Sequence, residues 1–383
     1  FEILTGMRQH DFGVSEYPYK TVLKSKTSES ICTDLKKLGY STHAVHNNEA
    51  TFYGRNTVFS NIGFDTFCSM EYMNGLTDSP NGWSNDDVLS REIMKTLDST
   101  SGPDFTMAIT VQSHGKYDGI ALDDPTIKVT GAPEGKEQAY EYYVNEIHEV
   151  DRMIDTLIKE LSNRKEETVL VLYGDHLPSL DIQKDDLSNA NLYQTQYVVW
   201  DNMNLKKKTK NLHAYQLYAE VLDRIQIHEG MITKYHQQTK HRSKLYLTGL
   251  TTLSYDLLYG DNYAYDGKNP FKQTELQMGT EPVKLTSVQK TKSGYRVVGS
   301  GFTPYCKVYY DGTLVESEWI SSECLQLQDE FELDEADKKD SGEPETEVTE
   351  PRDVPNAFVV EVQSDDGVVL SSTQAYPASQ VKK

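Results

Sequence analysis

Residues 27–201 alternate between helical and extended patterns, and this alternation limits the fold more than any other feature of the 383-residue chain. Short strand-like runs that alternate with helical ones are typical of a largely parallel sheet covered by helices. The longest helical pattern is Glu137–Asn163, where apolar residues recur three and four positions apart and the opposite face is charged. We therefore predict an α/β fold with a largely parallel central sheet flanked by helices.

Several short runs have the composition of strands in such a sheet. Residues 106–111 and 168–173 are unbroken apolar or β-branched runs, which predicts strands that are buried on both faces. The run STHAV predicts another strand and follows a helix that Ser28 or Ser30 can cap. A further strand is predicted at residues 197–200.

The pattern changes after about residue 281 to short alternating strands and turns, in VKLTSVQ, YRVVGSGF, CKVYYDG and AFVVEVQSDDG. This texture is typical of a small β-sandwich. Residues 328–355 carry twelve acidic and three basic side chains and too few apolar ones to order themselves. We predict an α/β domain over residues 1–278 and a β-sandwich over residues 279–383, with a mobile acidic loop at residues 328–355.

Charge and composition exclude some functions. The chain has 59 acidic and 38 basic side chains, so its formal net charge is −21. Such a surface repels phosphate backbones, which argues against nucleic-acid binding and requires a local cation or metal for any anionic substrate. No apolar run reaches the roughly 18 to 20 residues that cross a bilayer. The four cysteines lack metal-knuckle spacing, although Cys306 and Cys324 lie close enough in sequence to form a pair.

Histidines follow three of the predicted strands. His46 ends the STHAV strand, His114 follows TMAITV, and Asp175 and His176 follow TVLVLYG. Because the carboxyl ends of parallel strands meet at one edge of a sheet, we expect these side chains to line a common cavity. A carboxylate beside an imidazole suits Mn²⁺, Zn²⁺ or a similar divalent ion better than Ca²⁺. The alternative for Asp175 is a turn in which its carboxylate caps a backbone amide.

A basic residue follows the first of these histidines. Arg55 lies nine residues after His46, with Tyr53 between them, in HNNEATFYGRN. A guanidinium can bind a tetrahedral oxyanion with two hydrogen bonds, and a histidine and a phenol can add donors around it. The alternative is an exposed loop arginine that pairs with one of the many acidic residues.

Other motifs are uninformative. The sequence has no GxGxxG, P-loop, GxSxG or HExxH motif. Trp83 is predicted to pack on its own domain. Three histidines with no recognised ligand spacing are predicted to lie on the surface: His228, His236 and His241.

Four motifs occur together in the chain: FEILTGM, HAVHNNEATFYGRNTVFSNIGFDTF, TVQSHGKY, and HEVDRMIDTLI running into VLVLYGDHLP. In order and interval they resemble the lipoteichoic acid synthase group of the sulfatase and alkaline phosphatase superfamily, over roughly residues 1–265. The resemblance implies an alkaline phosphatase-like fold and phosphoglycerol transfer from an anionic glycerolipid to a cell-envelope polymer. It also implies an extracellular catalytic domain of a bacterial cell membrane, tethered by membrane helices that are not in this chain.

The resemblance also assigns residues. It implies a divalent metal, usually Mn²⁺, held by Asp175 and His176 together with a Glu and a nucleophilic Thr. The Thr and the Glu are expected upstream of Phe1, so no catalytic nucleophile is expected in this chain and its first strand is expected to be missing. Tyr53 stands where the best-known members have a tryptophan. The residues assigned to the substrate are His46, Tyr53, Arg55 and His114.

Two other functions remain open from the sequence. The first is a phosphate or sulfate ester hydrolase on the same fold, although the C/S-x-P-x-R motif that sulfatases convert to formylglycine does not occur. The second is a non-catalytic cell-wall binding protein, which the absent nucleophile and the sandwich favour. The segment GSGFTPYCKVYYDG resembles the start of immunoglobulin-like domains of the IPT/TIG type, which implies a spacer or binding module.

Overall fold

A computed structural model of the chain describes residues 1–241, 243–328, 331–333 and 350–382. The α-helices in these ranges are Glu2–Thr5 (α1), Ile31–Lys36 (α2), Arg55–Asn61 (α3), Asp87–Asp98 (α4), Glu137–Asn163 (α5), Leu217–Arg224 (α6), Met231–Gln238 (α7) and Lys244–Leu258 (α8). The first strands are Ser41–His46 (β1), Thr66–Cys68 (β2), Asp104–Ile109 (β3), Val169–Tyr173 (β4), Tyr197–Asp201 (β5) and Gln277–Met278 (β6). The later strands are Lys284–Thr291 (β7), Gly294–Ser300 (β8), Cys306–Tyr310 (β9), Thr313–Val315 (β10), Ser317–Ser321 (β11), Cys324–Leu327 (β12), Ala357–Gln363 (β13), Val369–Ser372 (β14) and Tyr376–Pro377 (β15).

The chain divides into two compact units. The first unit comprises Phe1–Asn74, Thr96–Met107 and Ala214–Lys383, and the second comprises Gly75–Lys95 and Ala108–His213. None of the helices in the described ranges is both long and apolar enough to span a membrane.

The first unit contains a four-stranded sheet with the order β3-β1-β2-β6. Strand β2 pairs in parallel with both β1 and β6. Ser30 caps α2, because its side-chain oxygen accepts the amides of Cys32 and Thr33 and the Thr33 hydroxyl accepts the Ser30 amide. The parallel central sheet flanked by helices confirms the predicted fold class.

Aromatic and polar contacts hold this sheet in the core of the first unit. Phe59 lies 4.8 Å from Phe64 and 4.9 Å from Phe67 between ring centroids, and all three side chains are wholly buried. His43 on β1 joins the edge strand β3, since its Nε2 lies 3.1 Å from Oδ1 of the buried Asp104. Burial of these rings and satisfaction of this polar pair fix the position of β1, whose last residue is His46.

The C-terminal part of the first unit is built from antiparallel strands. One sheet has the order β10-β9-β13-β14, with β15 also on β13, and the other has the order β11-β12-β8-β7. This arrangement is consistent with a small β-sandwich, while its assignment to the immunoglobulin-like type and the domain boundary at residues 278 and 279 stay predictions. Cys306 and Cys324 lie in strands of different sheets and are free, so they form no disulfide. Most of the predicted acidic loop, at residues 329–330 and 334–349, lies outside the described residues.

The second unit is organised by helix α5, whose bounds are those predicted from its periodicity. Its buried core contains Tyr117, Ala139, Tyr142 and Leu180. Strand β4 pairs antiparallel with β5 in a separate two-stranded sheet, and all its residues are half-buried. Strand β3 is half-buried as well, so the prediction that residues 106–111 and 168–173 form strands buried on both faces is wrong in its burial. An apolar run specifies a strand or a helix but does not specify the neighbours that cover it.

Candidate functional site

The first predicted site residue, His46, is the last residue of β1, as the sequence indicates. Its side chain is 2% exposed. The next eight residues form a loop that leads into helix α3 at Arg55. The loop is fixed at Asn48, whose carbonyl accepts the amide of Met70 at 3.2 Å, and at Ala50, whose amide reaches the Glu71 carboxylate.

Two aromatic rings surround the cation at the end of this loop. The Arg55 guanidinium carbon lies 5.3 Å from the Phe52 ring centroid and 5.4 Å from that of Tyr53. These distances lie within the range of cation–π attraction, so the two rings help to orient the guanidinium. Tyr53 has a φ of 58°, a left-handed conformation that costs a residue other than glycine roughly 1 kcal/mol or more. A conformation of this kind persists when the surrounding contacts hold it in place.

A second cation near this loop was not predicted from the sequence. The Lys20 ammonium lies 4.4 Å from the Tyr53 ring centroid and 5.7 Å from that of Tyr17. Lys20 is 35 residues before Arg55 in the chain, and no local pattern links the two. In a protein of net charge −21, Arg55 and Lys20 therefore make the surroundings of Tyr53 locally positive.

The second unit holds the other predicted site residues, and here two histidines share one local geometry. Nδ1 of His114 lies 2.8 Å from the carbonyl oxygen of Gly115, and Nδ1 of His176 lies 2.8 Å from that of Leu177. Because a carbonyl oxygen can only accept a hydrogen bond, each Nδ1 carries a proton. In the neutral ring each Nε2 therefore has its lone pair available to an external group. The two ring centroids lie 6.0 Å apart.

The adjacent residues Asp175 and His176 have the chemistry of metal ligands. Both side chains are exposed, and Nε2 of His176 lies 3.7 Å from Oδ1 of Asp175. Two ligands that are each about 2.1 Å from a divalent ion can be at most about 4.2 Å apart, so this separation is compatible with one shared ion. The backbone carbonyl on the far nitrogen orients His176, as carboxylates and carbonyls do in metal sites. The residues present therefore fit part of a divalent metal site.

These two ligands do not form a complete site. Within the described ranges, no group of three or more His, Cys, Asp or Glu side chains is arranged to hold a metal ion. A catalytic metal site in proteins usually has three protein ligands and one open position. The identity of the ion and the remaining ligands stay predictions.

The position of His114 depends on residues that no sequence pattern connects with it. The Trp83 ring lies 5.1 Å from the His114 ring in an edge arrangement, and its Nε1 donates to the Gly115 carbonyl at 3.1 Å. The side-chain amide of Asn81 donates to the carbonyl of His114 at 3.0 Å. Trp83 thus packs within its own unit, as predicted, but against a candidate site residue.

A reciprocal pair of side chains fixes the turn that leads to His114. Oδ1 of the buried Asp86 accepts the amides of Val111 at 2.9 Å and Gln112 at 3.3 Å, and Oε1 of Gln112 accepts the amide of Asp86 at 2.8 Å. His114 lies five residues beyond the end of β3, so the turn and not the strand determines where its ring lies.

The predicted site residues are divided between the two units. His46, Tyr53 and Arg55 belong to the first unit, whereas His114 and the Asp175–His176 pair belong to the second. The expectation that all of them line one cavity stays a prediction.

The prediction that His236 lies on the surface is wrong. Its side chain is 2% exposed, Nε2 donates to the carbonyl of Gly6 at 2.8 Å, and Nδ1 accepts the Tyr246 hydroxyl at 2.9 Å. Burial lowers the pKa of His236 to about 4. Its partner Gly6 is 230 residues away and ends helix α1, so no local sequence pattern reveals this contact.

Comparison with known proteins gives relatives of similar sequence and fold. The chain is 30% identical over 226 residues to a putative cyclic β-1,2-glucan modification protein of Rhizobium meliloti (strain 1021), covering 54% of this chain and 35% of that protein. It is 24% identical over 199 residues to lipoteichoic acid synthase 2 of Bacillus subtilis (strain 168), covering 51% of this chain and 30% of that protein. The chain thus spans about a third of the length of these relatives.

A solved structure shows the same fold. Phosphoglycerol transferase GacH of Streptococcus pyogenes, in complex with sn-glycerol-1-phosphate, superimposes with a TM-score of 0.57 at 20% identity, covering 71% of this chain and 75% of that one. The sulfatase family model matches residues 1–227. Because that match takes in more than half of the 383 residues, the chain belongs to the sulfatase family.

Proposed function

We propose that the protein is a metal-dependent phosphoglycerol transferase, which moves the headgroup of an anionic glycerolipid to a hydroxyl of a cell-envelope polymer. The observation that carries the proposal is the Asp175–His176 pair, whose Oδ1 and Nε2 lie 3.7 Å apart in a chain of the sulfatase family. Two similar proteins, a lipoteichoic acid synthase and a phosphoglycerol transferase, support this reaction class by their names. We place the reaction on the extracellular face of a bacterial membrane, as is implied by the resemblance of the motifs to the lipoteichoic acid synthase group.

Asp175 and His176 would hold Mn²⁺ or another divalent cation. The carbonyl of Leu177 keeps Nδ1 of His176 protonated, which leaves Nε2 as the ligand atom. The chemistry that such an ion supplies is activation of a hydroxyl nucleophile and neutralisation of charge on a phosphoryl group. We assign the remaining ligands, a Glu and the nucleophilic Thr, to residues upstream of Phe1.

Two of the substrate residues, Arg55 and Tyr53, would contact different parts of the headgroup. Arg55 neutralises non-bridging phosphoryl oxygens, and the adjacent Tyr53 ring and hydroxyl orient the glycerol part. The Phe52 and Tyr53 rings, 5.3 and 5.4 Å from the guanidinium carbon, restrict its orientation, so less of its rotational freedom is lost on binding.

The two histidines have different roles. His46, buried at the end of β1, is a rigid donor or acceptor beside this loop. A neutral His114 presents an acceptor at Nε2, so it takes a proton from a hydroxyl group or, when protonated, donates to a phosphoryl oxygen.

The transfer proceeds in two displacements. In the first, the Thr hydroxyl gives up its proton and its oxygen forms a bond to phosphorus, while the bond from phosphorus to the diacylglycerol oxygen breaks and that oxygen takes up a proton. In the second, the acceptor hydroxyl gives up its proton and its oxygen forms a bond to phosphorus, while the bond from phosphorus to the Thr oxygen breaks and the Thr oxygen takes up a proton. In this scheme the role of this chain's residues is to hold the phosphoryl group in line with each attacking oxygen.

The test compares Arg55→Ala and Arg55→Lys in the protein expressed from its whole gene. A fluorescent phosphatidylglycerol is the donor, and bound manganese is measured in parallel by elemental analysis. Loss of a charge-assisted hydrogen bond costs about 1.5–3 kcal/mol, so kcat/KM for Arg55→Ala should fall roughly tenfold to a hundredfold with manganese unchanged. Arg55→Lys keeps the charge but not the two-donor geometry, so its kcat/KM should lie between those of the wild type and Arg55→Ala.

Three outcomes would contradict the proposal. Equal losses of metal and activity in Arg55→Ala would remove Arg55 from the substrate site. Release of free glycerol phosphate to water, with no product on an added polymer, would identify a hydrolase. A protein that neither binds manganese nor turns over the lipid would be the non-catalytic cell-wall binding protein.

A further inference from the structure

One buried acidic side chain in the first unit connects two parts of the chain. These are the loop at residues 47–54, called the substrate loop, and strands β7–β15 with their turns, called the C-terminal β-rich region. Glu71 is 0% exposed, and its Oε1 and Oε2 lie 3.1 and 3.3 Å from the amide nitrogen of Ala50. Ala50 is itself buried and lies in the loop between His46 and Arg55. Removing a carboxylate from water is unfavourable, and burial raises the pKa of Glu71 accordingly.

The segment that carries Glu71 is bound on its other side by the β-rich region. The hydroxyl of the buried Thr303 donates to the backbone carbonyl of Glu71 at 2.6 Å, and the Asn74 side-chain amide donates to the carbonyl of Phe302 at 3.2 Å. The Tyr72 hydroxyl lies 2.7 Å from Oγ of Ser371. Residues 70–74 are therefore held by strands and turns more than 220 residues away in the sequence.

The same segment also fixes the loop backbone at a second point. The amide of Met70 donates to the carbonyl of Asn48 at 3.2 Å. The loop thus meets residues 70–71 at Asn48 and at Ala50, just before Tyr53 with its left-handed φ of 58°. A strained residue is kept in such a conformation by contacts of this kind nearby.

We propose that Glu71 is a positioning residue through which the C-terminal β-rich region fixes the loop at residues 47–54, and so sets where Tyr53 and Arg55 meet an anionic headgroup. This inference rests on the proposed function for its substrate. It makes the β-rich region part of the substrate-binding structure and not a spacer. Its elements are the Thr303 hydroxyl, the Glu71 backbone and carboxylate, and the Ala50 amide.

The experiment uses the protein expressed from its whole gene, with Glu71→Gln and Thr303→Val as test variants. Tyr72→Phe is the matched control, because it removes a hydrogen bond to the same β-rich region without touching the Glu71 carboxylate or its carbonyl. Three quantities are measured: hydrogen exchange of the Ala50 amide, the dissociation constant of sn-glycerol 1-phosphate, and KM and kcat with fluorescent phosphatidylglycerol.

We expect Glu71→Gln to speed exchange of the Ala50 amide by about tenfold and to raise both the dissociation constant and KM by about fivefold, with kcat within about twofold, since one charge-assisted hydrogen bond is weakened. Thr303→Val should change the same quantities in the same direction, by less. Tyr72→Phe should change them least, because the hydrogen bonds of Thr303 and Asn74 still hold the segment.

The proposal is overturned if Ala50 exchange in Glu71→Gln equals that in Tyr72→Phe, or if both test variants lose thermal stability while ligand affinity and KM stay unchanged. A failure of the proposed function looks different, since the wild-type protein would then transfer no lipid headgroup to an added polymer. In that case Ala50 exchange still decides whether Glu71 connects the two regions.

Discussion

Replacing Gly6 with alanine tests how tightly helix α1, which carries most of the FEILTGM motif, is held in the first unit. Gly6 ends α1 with φ 68° and ψ 5°, and its amide donates to the carbonyl of Glu2 at 2.8 Å. An added Cβ would lie 2.6 Å from Cγ2 of Ile232 and 2.8 Å from Cε1 and the hydroxyl oxygen of Tyr218. Contacts this short require the neighbouring side chains to move.

The expected cost has two parts. A left-handed φ costs alanine roughly 1–2 kcal/mol relative to glycine, and insertion of a methyl group into a packed core costs roughly 1–3 kcal/mol. Gly6→Ala should therefore lower the free energy of unfolding by roughly 2–5 kcal/mol. Gly39→Ala is the control, because Gly39 has φ 85° but no atom within 4 Å of its Cβ position.

The assay is urea-induced unfolding followed by circular dichroism, in which the midpoint and slope give the free energy of unfolding. Both glycines lie in the first unit, so the two variants are compared in the same transition. The difference between Gly6→Ala and Gly39→Ala isolates the steric part and should be about 1–3 kcal/mol. Equal destabilisation by the two variants would refute the close packing of α1 against α6 and α7.

Three further predictions concern the site and its surroundings. His176→Ala should weaken manganese binding at least about tenfold by titration calorimetry, whereas Arg55→Lys should leave it unchanged. Trp83→Phe keeps an aromatic ring beside His114 but removes the donor to the Gly115 carbonyl, so kcat/KM should fall about fivefold. An unchanged kcat/KM would contradict a positioning role for Trp83. Burial lowers the pKa of His236 to about 4, so the unfolded chain binds a proton at a higher pH than the folded chain does. The free energy of unfolding should therefore fall by about 3 kcal/mol as the pH drops from about 6.5 to about 4. In urea unfolding, His236→Gln should remove this pH dependence.

The position of charge matters more here than its total. The chain carries a net charge of −21, yet Lys20 and Arg55 both lie within 6 Å of the Tyr53 ring centroid. A local positive region on an acidic protein can attract an anionic headgroup, and the surrounding negative charge disfavours extended polyanions. This distribution supports the proposed anionic substrate more than the composition does.

Parts of the site that depend on nearby residues were predictable. His46 lies at the end of β1, and Asp175 and His176 follow β4, as the sequence predicts. These positions are predictable because a strand ends where its apolar run stops. The side chains that position His114 were not predictable, since Trp83 and Asn81 contact it from 31 and 33 residues away in the chain. The hydrogen bond from Thr303 to the carbonyl of Glu71 joins segments that are 232 residues apart.

Local patterns along the chain were enough to predict where helices begin and end. Helix α5 has its predicted bounds and Ser30 caps α2, because periodicity and capping act over three or four residues. The tertiary structure decided burial and pairing: β4 is half-buried and antiparallel to β5, and His236 is buried against Gly6. Such contacts join residues up to 230 positions apart, and the free energy that selects them comes from packing and desolvation across the whole fold, which no local pattern encodes.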